Sequence, residues 1–193
     1  MDSRKIAIHA LALLTAFSSG FSSSLMAGSP NYDFIEARYL VDAELGNLDG
    51  DGFRFDGSYR FTRSVYGFAE YDTVDLDNYD ADLDVFKLGA GYIAALNPNW
   101  DLNVSLSYVN TEVDVPRFNY DDSGFEISTG VRAMILPEIE IRANLNYIDI
   151  EDDDTYFTLG GDYFFLPNLS AGFEIDLGAD DYETFSLGAR YSF

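Results

Sequence analysis

The sequence predicts an all-β protein, an up-and-down antiparallel transmembrane β-barrel of ten strands, with eight as the alternative, following a cleaved secretory signal. Three observations lead there. Apolar side chains recur at every second position in segment after segment beyond residue 31, the period of a strand with two unlike faces. One of those faces is aromatic and aliphatic, whereas the other carries Arg, Lys, Asp and Glu, the reverse of what a soluble sandwich needs to fill its interior. The chain also opens on an export segment.

That segment, residues 1–27, has Arg4 and Lys5 at its head, an apolar stretch from Ile6 to Phe17, and small or polar residues down to Ala27. The apolar stretch is shorter than the ~20 residues a membrane-spanning helix requires. Cleavage near Ala27 is therefore expected, an amphipathic anchoring helix being the alternative, and residues 28–193 form one barrel domain. Removing the segment also removes His9, the only histidine, from a chain that has no cysteine.

The strands follow in order. Ile35, Ala37, Tyr39 and Val41 oppose Glu36 and Arg38; Phe53, Phe55, Gly57, Tyr59 and Phe61 oppose Arg54, Asp56, Ser58 and Arg60. Val65 to Val74 fits less cleanly, because Tyr66 and Phe68 share a face with Glu70 and Asp72. Phe86, Leu88, Ala90 and Tyr92 oppose Lys87, and Leu102, Val104, Leu106 and Tyr108 oppose Asn103, Ser105 and Ser107. Phe125, Ile127 and Val131 oppose Glu126 and Arg132, and Ile141, Leu145 and Tyr147 oppose Arg142 and Asn146. Phe157, Leu159 and Tyr163 oppose Asp162; Phe173 and Ile175 oppose Glu174 and Asp176; Phe185, Leu187, Ala189, Tyr191 and Phe193 oppose Arg190.

Four tight turns, at FTRSV, LNPNW, LPEI and LPNL, alternate with five looser acidic stretches: GNLDGDG, DLDNYDADLD, DVPRFNYDD, EDDD and GADDYE. Strict alternation of the two kinds makes a meander. In a bilayer every backbone polar group must be satisfied within the protein, so the meander must close, apolar side out. Aromatic residues cluster near both ends of the strands, as at two membrane interfaces. A secreted soluble β-sandwich is the competing fold.

The order of YDFIEARYLVDAEL, DGDGFRFDGSYRF, VFKLGAGY, SGFEISTGVRAMILPEIE and FSLGARYSF resembles a family of small ten-stranded outer-membrane barrels often described as quorum or sulfation-dependent factors. The resemblance spans nearly the whole mature chain and implies residence in the outer membrane of a Gram-negative bacterium. The last strand, with Tyr191 and Phe193 on its outward side, looks like the C-terminal signal of that class, which implies that the barrel-insertion machinery reads it. No signalling role is assigned to any residue.

Function is then read from the inward face. Arg38, Arg54, Arg60, Lys87, Arg132, Arg142 and Arg190 share it with Glu36, Asp56, Glu70, Asp72, Glu126, Glu140, Asp162, Glu174 and Asp176, a nearly neutral set. Counting partners out from the turns sets Arg54 near Asp72, Glu36 near Arg60, and Arg190 near Glu174 or Glu36. Such a lumen is expected to be a crosslinked polar core, since buried charges need partners. The function expected is a non-enzymatic envelope-structural or surface-interaction role, and the alternative is a narrow passive pore.

Enzymatic chemistry finds few groups to use. Ser-His-Asp, Cys-His and Asp-His arrangements lack their base or nucleophile, leaving paired-carboxylate hydrolysis formally open. Net charge is −23, with 34 acids against 11 Lys and Arg, which repels nucleic acid. Many acids fall on the looser stretches, where Asp75, Asp77, Asp80 and Asp82 are the candidate metal ligands, although the glycine and terminal glutamate of a calcium-binding loop are missing. No cofactor is expected beyond loosely bound Ca²⁺ or Mg²⁺ bridging to lipopolysaccharide. The other expected partner is outer-membrane lipid, with the protein a monomer.

Overall fold

A computed structural model describes residues 29–45, 48–76, 81–115, 118–150, 153–179 and 182–193. The export segment lies outside these residues, as do Asp77 and Asp80. Ten strands follow one another: β1 (Phe34–Leu45), β2 (Leu48–Arg60), β3 (Val65–Leu76), β4 (Asp82–Asn97), β5 (Trp100–Val115), β6 (Phe118–Leu136), β7 (Ile139–Asp149), β8 (Asp153–Leu166), β9 (Leu169–Gly178) and β10 (Tyr182–Ser192). Each pairs antiparallel with its neighbour in sequence, and β10 pairs back with β1 from Phe34↔Ser192 to Leu45↔Tyr182. The result is a closed ten-stranded barrel with no free edge.

Side-chain parity sorts the two faces. Exposed rows such as Phe53, Phe55 and Tyr59 on β2, or Leu102, Val104, Leu106 and Tyr108 on β5, lie outside. Arg38, Arg54, Lys87, Glu126, Arg142, Asp162 and Arg190 lie buried inside. A greasy exterior around a charged interior suits a hydrocarbon solvent and no other.

β3 keeps the alternation of a strand with a mixed inner face. Tyr66 and Phe68 point inward with Glu70 and Asp72, because Gly91 and Gly89 stand directly across on β4 and leave room for the rings. A Cβ on Gly89 would come within 2.6 Å of the Phe68 ring, and one on Gly91 would overlap the Tyr66 ring. Here glycine is needed for the close approach of an aromatic face.

The tight turns form as expected, and the acidic stretches do not form long loops. β1 and β2 are separated by residues 46–47 alone, and β5 and β6 by residues 116–117. The acids of those stretches alternate with strand-forming residues, as in Asp82-Leu83-Asp84-Val85 and Glu112-Val113-Asp114-Val115, so the ladder continues through them. Since ~9–11 residues suffice to cross a bilayer, β4 and β5 at 16 residues and β6 at 19 rise beyond the membrane as a paired wall. Among the described residues the acidic surface is therefore strand, outside the upper aromatic ring of Tyr39, Phe53, Tyr71, Phe86, Tyr108, Phe125 and Tyr147.

Candidate functional site

The candidate site is the lumen, to which the inner faces of all ten strands contribute. Arg54 on β2 is its central crosslink. Its Nε and Nη2 donate to the two oxygens of Asp72 at 2.9 and 2.8 Å, and its Nη1 donates to Glu174 at 2.8 Å and Asp176 at 3.2 Å on the opposite wall. Arg142 donates from Nε to the other oxygen of Glu174 at 2.9 Å and pairs with Asp162 through Nη1. Arg190 donates to Glu36 at 2.9 and 3.1 Å and to Glu140 at 2.9 Å, and Arg132 donates to the same Glu140 oxygen at 2.7 Å. Arg38 pairs with Glu36.

Lys87 closes the upper end of the network. Its ammonium lies 3.1 Å from Glu70, 3.0 Å from Glu126 and 3.0 Å from the Tyr156 hydroxyl, which itself donates to Glu126. Glu70 is also 4.0 Å from Arg54, so the pairs link without a break from Glu126 down to Arg132. Asp176 further accepts from Thr158 at 2.6 Å and Thr184 at 2.9 Å. Guanidinium groups bonded by their forks to carboxylates are the strong members of this class, and their mutual attraction offsets the cost of leaving water where the forks are filled, as at Arg54, while Arg38 Nη1 and Arg142 Nη2 are buried without a hydrogen-bond partner among the described residues.

Two residues depart from the sequence expectation, Arg60 and Asp101, and of the two partners expected for Arg190 it takes Glu36. Arg60 pairs with Asp33 at 3.5 Å in place of Glu36, because β1 meets β2 at Phe34↔Ser58 and Arg60 lies beyond the last pair, at the mouth. Glu174 bonds Arg54 and Arg142 while Arg190 takes Glu36, since Arg190 stands opposite Ser170, four residues below Glu174. Asp101 is 3 % exposed on the inner face of β5 and escaped the sequence reading, although its parity with Asn103 marks it as inward. Asp101 adds to the surplus of inward carboxylates over inward cations already present in the expected set, so the interior is more acidic than that near-neutral set.

Apolar clusters flank the charged layer above and below. Above the charged layer Leu40, Ala43, Val74 and Leu76 meet in a buried apolar cluster, with Ala81 and Leu83 packed against it. Below it Tyr32, from the residues ahead of β1, packs with Tyr66, Ile93 and Phe68. Between them lies a polar chamber of about 170 Å³, bordered by Glu36, Asp56, Glu70, Asn103, Ser105 and Arg142. Asp56 faces this chamber rather than joining the network of pairs.

On the outer surface the acids stand in cross-strand register: Asp51↔Asp75, Asp75↔Asp82, Asp82↔Asp114, Asp84↔Glu112 and Glu112↔Asp121. Like charges placed opposite one another repel. Of the metal candidates, Asp75 and Asp82 belong to this row. Among the described residues no group of three or more acids converges as a metal cage. Tyr191 and Phe193 are exposed on the outer face, 46 % and 59 %, in the lower aromatic ring with Tyr59, Phe61, Tyr163 and Phe165.

A family model described as outer membrane protein beta-barrel domain matches residues 6–193. Among solved structures the chain is similar to the KdgM porin in complex with disordered oligogalacturonate, at 16 % identity over 83 % of this chain and 99 % of that one, TM-score 0.50. It is also similar to Ail, the attachment invasion locus protein of Yersinia pestis, at 15 % identity over 83 % of this chain and 97 % of that one, TM-score 0.43. No curated protein sequence matches the chain.

Proposed function

Because the chain belongs to the outer membrane protein beta-barrel domain family, and so resides in the outer membrane of a Gram-negative bacterium, we propose that it is a sealed, non-enzymatic barrel of the envelope. Its working surface is the acidic rim. The observation that carries this reading is the continuous lumen network from Glu126 to Arg132, capped by Leu40, Val74 and Leu76 above and by Tyr32 below. A solute path would have to break buried ion pairs and displace both caps. The competing reading, a narrow passive pore, is favoured only by the polar chamber that lies between the two apolar clusters.

The rim suits divalent cations and, through them, the anionic headgroups of lipopolysaccharide. Outward acids in cross-strand register stand directly above the aromatic ring, at the height where lipid phosphates lie, and two anionic surfaces adhere only with Ca²⁺ or Mg²⁺ between them. Tyr39 and Tyr71 tie the two layers together by donating to Asp51 at 2.6 Å and Asp84 at 2.9 Å. The barrel-insertion machinery is the remaining partner of this reading, engaged through Tyr191 and Phe193.

Planar-bilayer recording tests the sealed barrel. Purified protein, verified as folded by faster gel migration unheated than boiled, is expected to give no sustained conductance steps. Large, long-lived steps from the unaltered chain would overturn it. Calorimetric titration with Ca²⁺ in lipopolysaccharide-containing membranes tests the rim, with absence of binding heat counting against it.

A further inference from the structure

Residues 29–33 belong to no strand, yet two of their side chains are buried in the barrel: Pro30 is among the least accessible residues and Tyr32 is 2 % exposed, whereas Ser29 is exposed and Asn31 and Asp33 are half-buried. The strap they form crosses the turn-side mouth and puts the Tyr32 ring into the lumen as the floor of the polar chamber. There the ring lies 5.0 Å from Tyr66 and 4.3 Å from the Arg132 guanidinium, a cation–π contact. We propose that this strap is a displaceable lid, and that the chamber exchanges small polar solutes and ions with the periplasmic side alone.

The attachments of the strap differ in kind from those of a strand. A strand in this barrel is held by ladders on both sides, whereas the strap has separate single ties. Arg132 Nη2 donates to the Asn31 carbonyl at 2.9 Å, Phe193 N donates to the Asp33 carbonyl at 3.0 Å, and Arg60 N donates to the Asp33 carboxylate at 2.6 Å. The accompanying Arg60–Asp33 ion pair, 3.5 Å, is partly exposed at the mouth, where water competes with it. The Tyr32 hydroxyl is buried with no hydrogen-bond partner, a demand that water would meet if the ring swung out. Every tie therefore finds a replacement in solvent, which is not so for the ion pairs above it.

Access is one-ended for a reason of composition. The upper cover, Leu40, Ala43, Val74 and Leu76, sits on β1 and β3, each paired with a strand on both sides apart from one bulge in β1 after Leu40, and offers no polar side chain to a solute. Opening it would require strands to part. Opening the floor requires only rotation of residues 29–33.

The inference rests on the sealed-lumen reading, and the test separates the two. Since the chain lacks cysteine, Ser58→Cys places a single thiol on the chamber wall, in a position 7 % exposed beside the strap. The full mature chain in liposomes is treated with a small neutral methanethiosulfonate, and labelling is followed by mass. Slow labelling in the otherwise unaltered chain, accelerated at least tenfold by Tyr32→Ala or by Asp33→Ala, is the expected result. Asp33→Ala loosens the strap without touching the ring, so one of the pair remains informative if the other misfolds on the gel assay. Fast labelling without any strap mutation would show that the strap does not close the chamber and would overturn the lid, while the bilayer recording judges the sealed lumen separately. Slow labelling that neither strap mutation speeds would leave the lumen sealed and overturn the lid.

Discussion

At the scale of single residues the lumen is governed by the rule that a buried charge without a partner costs more than a buried pair gains. Arg54 serves Asp72, Glu174 and Asp176 at once, so truncating it leaves Asp72 without a partner among the described residues and takes one partner each from Glu174 and Asp176. Arg54→Ala is expected to cost ~3–5 kcal/mol, the range for breaking a buried pair from one side, read from urea unfolding in detergent micelles. Arg54→Lys should recover only part of that, because an ammonium cannot fill the fork that the guanidinium presents to Asp72. A loss under ~1 kcal/mol for Arg54→Ala would mean that water enters the lumen freely enough to screen its charges. The Arg54–Asp72 pair was legible in the sequence, since both residues lie on neighbouring strands and cross-strand counting reaches them. Arg54–Glu174 was not, because a contact across the lumen depends on where the closed cylinder brings β2 and β9 face to face.

Among the elements, β3 and β4 show how a strand can break the colour rule and keep its period. Tyr66 and Phe68 read as errors in an otherwise polar row until their partners Gly91 and Gly89 are seen to be vacant of side chains. Gly91→Ala should therefore destabilise the barrel, since Tyr66 is backed by Tyr32 and has nowhere to retreat. Gly57→Ala, whose Cβ would meet nothing within 4 Å on the outer surface, should be neutral or slightly stabilising. Paired melting curves check the contrast, and equal effects would refute it. The acidic stretches taught the opposite lesson: charge made them look like loops, while the alternation beneath the charge was that of a strand. Their repulsion predicts that Asp82→Asn raises the melting temperature in chelator, where Asp75, Asp82 and Asp114 face one another bare, and that Mg²⁺ narrows the difference.

For the whole molecule, parity gave the sides of the sheet, the alternation of turns gave ten strands with eight as the alternative, and the bilayer's demand on the backbone gave the closure of β10 on β1. Parity could not announce residues 29–33, which have no period and owe their place to Arg132 and Tyr66. Nor did it give the full excess of acid inside, because Asp101 sits next to a turn where facing is hard to judge. Two covers and one acidic interior make a joint prediction. Neither Tyr32→Ala nor Leu76→Ser alone should yield steady current across a planar bilayer, whereas the double variant should, with a reversal potential under a KCl gradient that favours K⁺ over Cl⁻. Anion preference in that variant would contradict the surplus of inward carboxylates.

The amide of Phe193 donates to the carbonyl of Asp33. That one bond joins the final residue of the sheet to the stopper beneath it, so the stopper has its full set of anchors only after the tenth strand has zipped to the first. Sealing and completion would then coincide during biogenesis: a half-assembled cylinder stays drained through its base, and the act that finishes the wall also shuts the door.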